Sequence, residues 1–123
     1  MIDKKTFKLT IIIPCYNEKN TIEEILKRIN ESLKSYELLK FEVLIVDDFS
    51  NDGTKDVLKN FTNNEKIQIF YHDNNLGKGA AIHTALKHAT GDITIIQDAD
   101  LEYDPFDYYK LLVPFFETNA DIV

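Results

Sequence analysis

Residues 9–13 read Leu-Thr-Ile-Ile-Ile, and Pro14 follows them directly. β-Branched side chains such as those of Thr and Ile favour extended backbone. A continuous apolar run, in contrast to strict alternation of apolar and polar residues, is typical of a strand buried on both faces of its sheet. We therefore predict a buried strand over 9–13 that ends at Pro14.

Helical and extended patterns alternate after this strand. Asn20 and Glu23 form a start similar to a capping box, and apolar residues then recur at helical spacing along one face: Ile22, Ile25, Leu26, Ile29 and Leu33. A short helix is predicted around 57–61. A second strand of the buried type is predicted over 42–46, and further strands are predicted over 67–71 and 93–97.

The second half of the chain continues this alternation. An alanine-rich helix is predicted to run through Ala89, with Gly91 as its C-terminal cap. Pro105 suits the first turn of another helix, and residues 120–123 look like the opening of a fifth strand. The alternation indicates an α/β fold, with an open, mostly parallel sheet and helices on both faces. In such folds ligands bind outside the carboxyl ends of the strands.

Composition limits what the protein can do. The chain has 123 residues, of which 44% are hydrophobic, and this length suits a single domain over 1–123 with a real core. The net charge of −7 argues against a general nucleic-acid-binding surface. The single cysteine, Cys15, excludes an internal disulfide and is interpreted as a small buried residue in a reducing compartment. No signal peptide and no membrane-spanning run is visible in these 123 residues.

The last residues, Ile122 and Val123, are apolar and β-branched. We expect from this ending that the chain is the N-terminal part of a longer protein. An uncovered sheet edge would then favour self-association, so a homo-oligomer is an expected state.

Three carboxylates stand at alternate positions after the predicted fourth strand: Asp98, Asp100 and Glu102. If the backbone stays extended, residues two apart project to the same side, and such a cluster recruits a cation. Oxygen-only ligands favour magnesium, manganese or calcium over zinc. A solvated acidic turn before a helix is the alternative. An EF-hand is disfavoured because Tyr103 and Tyr109 stand where its glycine and glutamate are required.

Two other polar clusters follow predicted strands. Residues 14–18, Pro-Cys-Tyr-Asn-Glu, offer a ring that could stack on a base and an amide at Asn17 that could bond a ribose hydroxyl. A polar loop in which Asn17 forms a turn remains an equal alternative. Asp47 and Asp48 could accept hydrogen bonds from a base N–H, or could start the turn that Gly53 completes.

Residues 75–79, Asn-Leu-Gly-Lys-Gly, resemble a loop that binds phosphate at a helix N-terminus. They match neither standard motif, because Ile82 replaces the third glycine of the dinucleotide fingerprint and Gly79 replaces the Ser or Thr of the P-loop. Lys78 could approach a phosphate or could be a solvated lysine at the start of a helix. The three histidines, His72, His83 and His88, are interpreted as structural or solvated.

Four stretches together carry a family resemblance: Ile-Ile-Ile-Pro-Cys-Tyr-Asn-Glu at 11–18, Val-Asp-Asp-Phe-Ser-Asn-Asp-Gly-Thr at 46–54, Asn-Leu-Gly-Lys-Gly at 75–79 and Gln-Asp-Ala-Asp-Leu-Glu at 97–102. In order and spacing they resemble glycosyltransferase family two, and within it the dolichyl-phosphate mannose synthase and polyprenyl-phosphate glycosyltransferase branch. The resemblance implies a Rossmann-like GT-A fold, of which this chain is the nucleotide-sugar-binding half. It also implies an inverting transfer of sugar from a UDP- or GDP-sugar to a lipid phosphate.

The resemblance also implies roles for particular residues. The nucleoside pocket would be lined by Pro14, Tyr16, Asn17, Glu18, Val46 and Asp48. Asp98 and Ala99 would lie along the ribose and diphosphate, which Lys78 would also approach. Asp98, Asp100 and Glu102 would hold Mg²⁺ or Mn²⁺, with Asp100 as the catalytic residue. The family often has Gln at the position of Glu102, and a carboxylate there adds negative charge.

Several hypotheses about the function stay open. The full-length protein would work in the cytoplasm at the face of a membrane, with the acceptor half following Val123. Alternatives within the family are transfer to a polysaccharide or other sugar hydroxyl, and a catalytically incomplete nucleotide-binding fragment. A signalling receiver domain is disfavoured, because its acidic groups follow strands one and three, whereas here they follow strands two and four.

Overall fold

The computed structural model describes residues 8–34 and 40–100. It contains four strands, β1 (Lys8–Cys15), β2 (Lys40–Asp47), β3 (Ile67–Tyr71) and β4 (Ile93–Ile96). Three α-helices connect them, α1 (Ile22–Lys34), α2 (Thr54–Leu58) and α3 (Lys78–Leu86), and a 3₁₀ turn at Lys59–Phe61 follows α2. The predicted helix from Pro105 and the predicted strand over 120–123 lie outside the described residues.

The four strands form one parallel sheet in the order β3-β2-β1-β4. The sheet grows outward from β1 through β2 to β3, and the chain then returns to place β4 on the other side of β1. The strand order therefore reverses between β1 and β4, which is where open α/β sheets bind ligands. The predicted fold class is confirmed.

Helices cover both faces of the sheet. On one face, side chains of β1 and β2 pack with α1 and with Leu58 of α2. The core on this face also includes Leu9, Ile11, Ile13, Cys15, Val43, Ile45, Ile22, Ile25, Leu26, Ile29, Leu33 and Ala99. On the other face the core is smaller and includes Ile12, Leu44, Val46, Ala81 and Ala85. Small alanines on α3 let this helix lie close to the sheet. The amphipathic face predicted for α1 is confirmed.

Pro14 lies inside β1, so the prediction that it ends the strand is wrong. It pairs with Val46 of β2, and the strand continues to Cys15. The backbone hydrogen bonds of successive β1 residues point alternately toward β2 and toward β4. The Cys15 carbonyl accepts from the Asp48 N–H on the β2 side, and the Ile12 carbonyl accepts from the Gln97 N–H on the β4 side. The missing N–H of Pro14 therefore lies on the side of β4, whose pairing with β1 has ended at Ile12. A proline is tolerated there because no partner strand needs its donor.

Gly91 is not the C-terminal cap of α3, as was predicted. The helix ends at Leu86 with Lys87 as its cap, so it is also shorter than the predicted run through Ala89. Gly91 instead lies against β1, where its N–H donates to Thr10 Oγ1. A Cβ at this position would stand 2.5 Å from Thr10 Oγ1 and 2.7 Å from the Thr10 nitrogen. The glycine is required for this close approach of two backbones.

Glu42 joins the starts of β1 and β2 to the segment before β4. Its buried carboxylate accepts hydrogen bonds from Thr10 Oγ1 at 2.6 Å, from the Thr90 N–H at 2.7 Å and from Thr90 Oγ1 at 3.0 Å. Lys8 Nζ lies 3.4 Å from Glu42 Oε1. Burial raises the pKa of Glu42, but the hydrogen bonds from Thr10 and Thr90 and the charge of Lys8 lower it by more. The pKa therefore lies below its usual value of 4.5.

Replacing Glu42 with glutamine should reduce the free energy of unfolding at pH 7 by about 2 kcal/mol, because a charge-assisted network becomes a neutral and partly mismatched one. The lowered pKa means that the carboxylate stabilises the fold fully above pH 4.5 and loses this effect as the pH falls through the lower folded-state value. Urea unfolding at pH 7 and pH 3 checks this: the gap between wild type and Glu42→Gln should shrink in acid. The exposed Glu65→Gln variant is the control, and a pH-independent gap would contradict the assignment.

Candidate active site

A cavity of about 230 Å³ opens at the carboxyl ends of β1, β2 and β4, at the point where the strand order reverses. Its lining comes from the loops after these strands and from the start of α3: Pro14, Cys15, Tyr16, Glu18, Asp48, Lys78, Ala81, Asp98, Ala99 and Asp100. Seven of these line it with polar or titratable side chains, including four carboxylates and one ammonium group. The three rim clusters that the sequence predicted therefore meet at one place.

A second, larger cavity of about 330 Å³ lies between α1 and the starts of β2 and β3. Its walls include Leu26, Phe41, Phe61 and Ile67, with Lys27 and Lys66 among the polar residues. None of the residues predicted for the site lines it. Size alone does not identify a site, and the smaller cavity is the candidate because it gathers four carboxylates and Lys78 at the reversal of strand order.

The loop between β1 and α1 is fastened to the loop after β2. The Asn17 N–H donates to Ser50 Oγ at 2.9 Å, and Asn17 Oδ1 accepts from the Asn51 N–H at 2.8 Å. Asn17 has φ of 53°, a left-handed conformation that asparagine tolerates better than most residues. The Glu18 N–H donates to Thr54 Oγ1 at 3.0 Å. This arrangement uses Asn17 as the turn former.

Thr21 links the same loop to the residues after β4. Its hydroxyl lies 2.9 Å from Glu18 Oε2 and also within hydrogen-bonding distance of the Ala99 carbonyl. A hydroxyl has one proton, so it donates to one of these two acceptors at a time. Thr21 therefore lies between two walls of the cavity, one at Glu18 and one at Ala99. Nothing in the sequence pattern singled it out.

Asp48 is almost fully buried and is held by the loop that precedes α3. Its Oδ1 accepts from the Leu76 N–H at 2.8 Å, and its Oδ2 accepts from the Gly77 N–H at 2.8 Å. His72 Nδ1 lies 2.9 Å from Oδ1. Burial raises the pKa of Asp48, but the hydrogen bonds from Leu76, His72 and Gly77 outweigh it and hold the pKa below its usual value. Asp48 is therefore an anion at neutral pH.

Lys78 and Asp98 face each other across the cavity as a direct ion pair. Lys78 is the first residue of α3, and Asp98 follows β4. Both side chains are partly exposed, at 59% and 38%, so the pair is accessible to a ligand. Asp100 is exposed on the same wall. Beneath them the buried Gln97 donates from Nε2 to the Asp98 carbonyl at 3.1 Å, which braces the backbone of this segment.

The donors on this wall suit a hard divalent cation. Within residues 8–34 and 40–100, no three His, Cys, Asp or Glu side chains come together as a metal site by themselves. Asp98 and Asp100 supply two carboxylates, and Mg²⁺ commonly takes one or two carboxylates and completes its shell with water and ligand phosphates. Glu102, the third predicted ligand, lies outside the described residues.

Cys15 and Asp47 are buried side by side in adjacent strands. Burial, followed by the charges of Asp47, Glu18 and Asp52, raises the pKa of the Cys15 thiol to about 12. The thiol is therefore protonated, in agreement with its interpretation as a small buried residue. Asp47 Oδ2 accepts from the Ser50 N–H at 3.1 Å, and Oδ1 has no hydrogen-bond partner in the part of the chain that the structure describes.

Not every predicted residue lines the cavity. Val46 is fully buried and does not line the cavity, because its side chain packs with Ile12 and Leu44 in the core between the sheet and α3. Asn17 bonds the loop after β2, as described above.

The three histidines differ from one another in their surroundings. His72 is structural, His88 stacks on Phe70 with ring centroids 4.4 Å apart, and His83 is exposed.

The family model of Glycosyl transferase family 2 matches residues 10–123. The chain belongs to glycosyltransferase family 2. Among curated relatives it is 31% identical over 115 residues to a dolichol-phosphate mannosyltransferase of Pyrococcus furiosus, covering 94% of this chain and 32% of the relative. It is 33% identical over 123 residues to the undecaprenyl-phosphate 4-deoxy-4-formamido-L-arabinose transferase of Proteus mirabilis, covering 98% and 37%. This family 2 chain thus spans about a third of the length of these relatives.

Solved structures agree with this family 2 assignment. A mannosyltransferase from Pyrobaculum calidifontis in complex with GDP-Man and Mn²⁺ superposes with a TM-score of 0.71 at 34% identity, over 89% of this chain and 32% of that one. S. aureus TarS 1-349 in complex with UDP-GlcNAc gives a TM-score of 0.72 at 26% identity, over 91% and 32%. These neighbours are GT-A glycosyltransferases, so the predicted GT-A fold is confirmed. Among the helices that the structure describes, none has both the length and the apolar composition needed to span a membrane.

Proposed function

We propose that this chain is the donor-binding part of a metal-dependent, inverting glycosyltransferase that moves a sugar from a nucleotide diphosphate sugar to a polyprenyl phosphate. One observation carries the proposal: the cavity at the β1–β4 reversal sets Asp98 and Asp100 opposite Lys78. Carboxylates for a cation and an ammonium group for phosphate are the groups that a sugar diphosphate requires. The similarity to dolichol-phosphate and undecaprenyl-phosphate transferases supports the acceptor class.

The nucleoside would lie along the loop after β1. Tyr16 is 44% exposed at the cavity wall and offers its ring for stacking on a base. Glu18 and Pro14 line the same wall, with the Ala99 backbone opposite. Asp48 has already accepted three hydrogen bonds from the loop before α3, which leaves about one of its four lone-pair sites for a base N–H. Its predicted contact with the base would therefore be a single bond.

The diphosphate would lie between Lys78 and the carboxylates after β4. The N-terminus of α3 adds its dipole to the charge of Lys78, and both favour an anion. Asp98 and Asp100 would hold Mg²⁺ or Mn²⁺, with Glu102 as a further ligand. When bound, the cation supplies charge neutralisation for the departing nucleoside diphosphate. Mn²⁺ accompanies GDP-Man in the Pyrobaculum enzyme, which supports a divalent cation here.

The acceptor chemistry follows from the charge of a lipid phosphate. An anionic phosphate oxygen attacks the anomeric carbon, the bond from that carbon to the diphosphate oxygen breaks, and the configuration inverts. The nucleophile is already deprotonated, so the residues of this chain need supply no strong base. They orient the donor and stabilise the leaving group. We propose that the full-length protein works at a membrane surface, where such an acceptor is held, and on the cytoplasmic face.

A thermal-stability screen tests the proposed function. UDP- and GDP-sugars are added to the protein with Mg²⁺ or Mn²⁺, or with EDTA. One nucleotide class should raise the melting temperature when metal is present, because a ligand at 100 times its Kd stabilises the native state by about 2.7 kcal/mol. Stabilisation that is unchanged in EDTA, or absent with every nucleotide sugar, would overturn the proposal.

Replacing Lys78 with glutamine should lower the affinity for a nucleoside diphosphate by about tenfold, because one charge-assisted contact to phosphate is lost. The affinity for Mn²⁺ alone should change in the opposite direction and rise, because Asp98 no longer has an ammonium group beside it. Calorimetric titration measures both. Lys87→Gln, at the exposed C-terminal end of the same helix, is the control. Loss of affinity for both ligands would contradict this role for Lys78.

A further inference from the structure

His72 bridges the end of β2 to the middle of α3 through both nitrogens of its ring. Its Nδ1 lies 2.9 Å from Asp48 Oδ1, and its Nε2 lies 2.8 Å from Thr84 Oγ1. The side chains of His72 and Asp48 are only 9% and 5% exposed. His72 does not line the cavity, and the sequence pattern gave no reason to separate it from His83 and His88.

The hydrogen-bond network places a proton on Nδ1 of His72. Asp48 is an anion, so it only accepts, and His72 Nδ1 must donate to it. When the ring is neutral, Nε2 accepts the hydroxyl proton of Thr84, and when the ring is protonated, Nε2 donates to Thr84 Oγ1. Both ring nitrogens therefore have a partner in either state. The two hydrogen bonds fix the orientation of the His72 ring, and the ring in turn fixes the rotamer of Asp48.

Asp48 passes this constraint to the backbone of the loop. Its two oxygens accept the N–H groups of Leu76 and Gly77, the two residues directly before α3. Gly77 has φ of 98°, a conformation that residues with side chains rarely adopt. Lys78 follows, and its ammonium group contacts Asp98 on the far wall. A continuous series of contacts therefore runs from Thr84 and His72 to the cavity.

We propose that His72 is a positioning residue for diphosphate binding: it orients Asp48, which holds the Leu76–Gly77 backbone so that Lys78 and the N-terminus of α3 face the cavity. This inference rests on the proposed function for its ligand. The order Asp, His, hydroxyl also occurs in hydrolases. Here Thr84 lies outside the lining of the cavity, and Asp48 makes two further bonds to backbone amides, so the arrangement serves the geometry of the loop.

Three variants test this role. His72→Ala removes both bonds, His72→Asn retains an amide N–H at the position of Nδ1 for Asp48, and Thr84→Val removes only the second bond. We expect His72→Ala to weaken binding of the preferred nucleoside diphosphate by about tenfold, and binding of the nucleoside alone by about threefold through the single bond from Asp48 to the base. His72→Asn should restore most of the diphosphate affinity, and Thr84→Val should lie between. Thermal unfolding checks that each variant is folded.

Hydrogen exchange provides a readout that needs no ligand. The amides of Leu76 and Gly77 should exchange about tenfold faster in His72→Ala than in wild type, with protection recovered in His72→Asn. The inference is overturned if His72→Ala leaves exchange and diphosphate affinity within twofold of wild type, or if His72→Asn behaves like His72→Ala. Wild type that binds no nucleotide would overturn the proposed function instead, while the exchange result would still report on the loop.

Discussion

Replacing Asp100 with asparagine should lower the affinity of this chain for a nucleotide diphosphate sugar in the presence of Mn²⁺ by about 100-fold, or about 2.7 kcal/mol. Asp100 is exposed on the cavity wall next to the Lys78–Asp98 pair, where its carboxylate is accessible to a cation. Asparagine keeps the size and one carbonyl oxygen but removes the charge. Isothermal titration of both proteins with the nucleotide sugar measures the difference.

The Asp100→Asn effect should depend on the metal. With EDTA the two proteins should bind the nucleotide equally weakly, since the lost group acts on the cation and not on the sugar nucleotide. Asp56→Asn is the matched control, because Asp56 is an exposed carboxylate on α2 whose partner is Lys59. Equal affinities of wild type and Asp100→Asn in Mn²⁺ would exclude Asp100 as a metal ligand.

Replacing Gly91 with alanine should reduce the free energy of unfolding by about 3 kcal/mol, the largest stability effect that we expect from adding one methyl group to this chain. The new Cβ would meet the Thr10 nitrogen at 2.7 Å and the Leu9 carbonyl carbon at 3.0 Å, and backbone atoms cannot rotate away. The shift would also strain the bond from the Gly91 N–H to Thr10. Urea denaturation of the purified variant measures the change.

Gly79→Ala is the control for the Gly91 substitution. Gly79 lies in the first turn of α3, and a Cβ there meets nothing within 4 Å. Alanine in this helix should stabilise the protein by about 0.5 to 1 kcal/mol. Opposite signs for the two Gly→Ala variants would establish that space at position 91, and not backbone entropy, decides the outcome. A loss below about 1 kcal/mol at Gly91 would contradict the close packing described here.

Much of the fold follows from local patterns in the sequence. The apolar runs predict the strands because a strand between two helical layers must be apolar on both sides. The ends of elements are less predictable, since they depend on neighbours in the sheet. Pro14 continues β1 only because β4 is too short to pair with it, and α3 ends at Leu86 although the apolar pattern runs on. Gly91 resembles a cap in the sequence, and only the packing of Thr10 explains it.

The residues of the site also differ in how well the sequence predicts them. Residues that follow strands directly, such as Asp48 and Asp98, were predicted together because parallel strands deliver their ends to one rim. Residues that act through a bond to another element carry no such signal. Thr21 reaches the Ala99 carbonyl from the start of α1, and His72 reaches Thr84 across 12 positions of sequence. Val46 differs from Asp48, two positions further along: Asp48 lines the cavity, whereas the side chain of Val46 packs in the core. The role of Val46 in the nucleoside pocket stays a prediction.

Chemical-shift mapping by NMR tests the central claim most directly, because it locates the ligand in one of the two cavities. The preferred nucleotide diphosphate sugar and Mg²⁺ are added to ¹⁵N-labelled protein. We expect saturable shifts at the amides of Tyr16, Gly77, Asp98 and Asp100, and selective broadening at Asp98 and Asp100 when Mn²⁺ replaces Mg²⁺. Shifts centred on Lys27 and Lys66 at the second cavity, or no saturable shift, would contradict it.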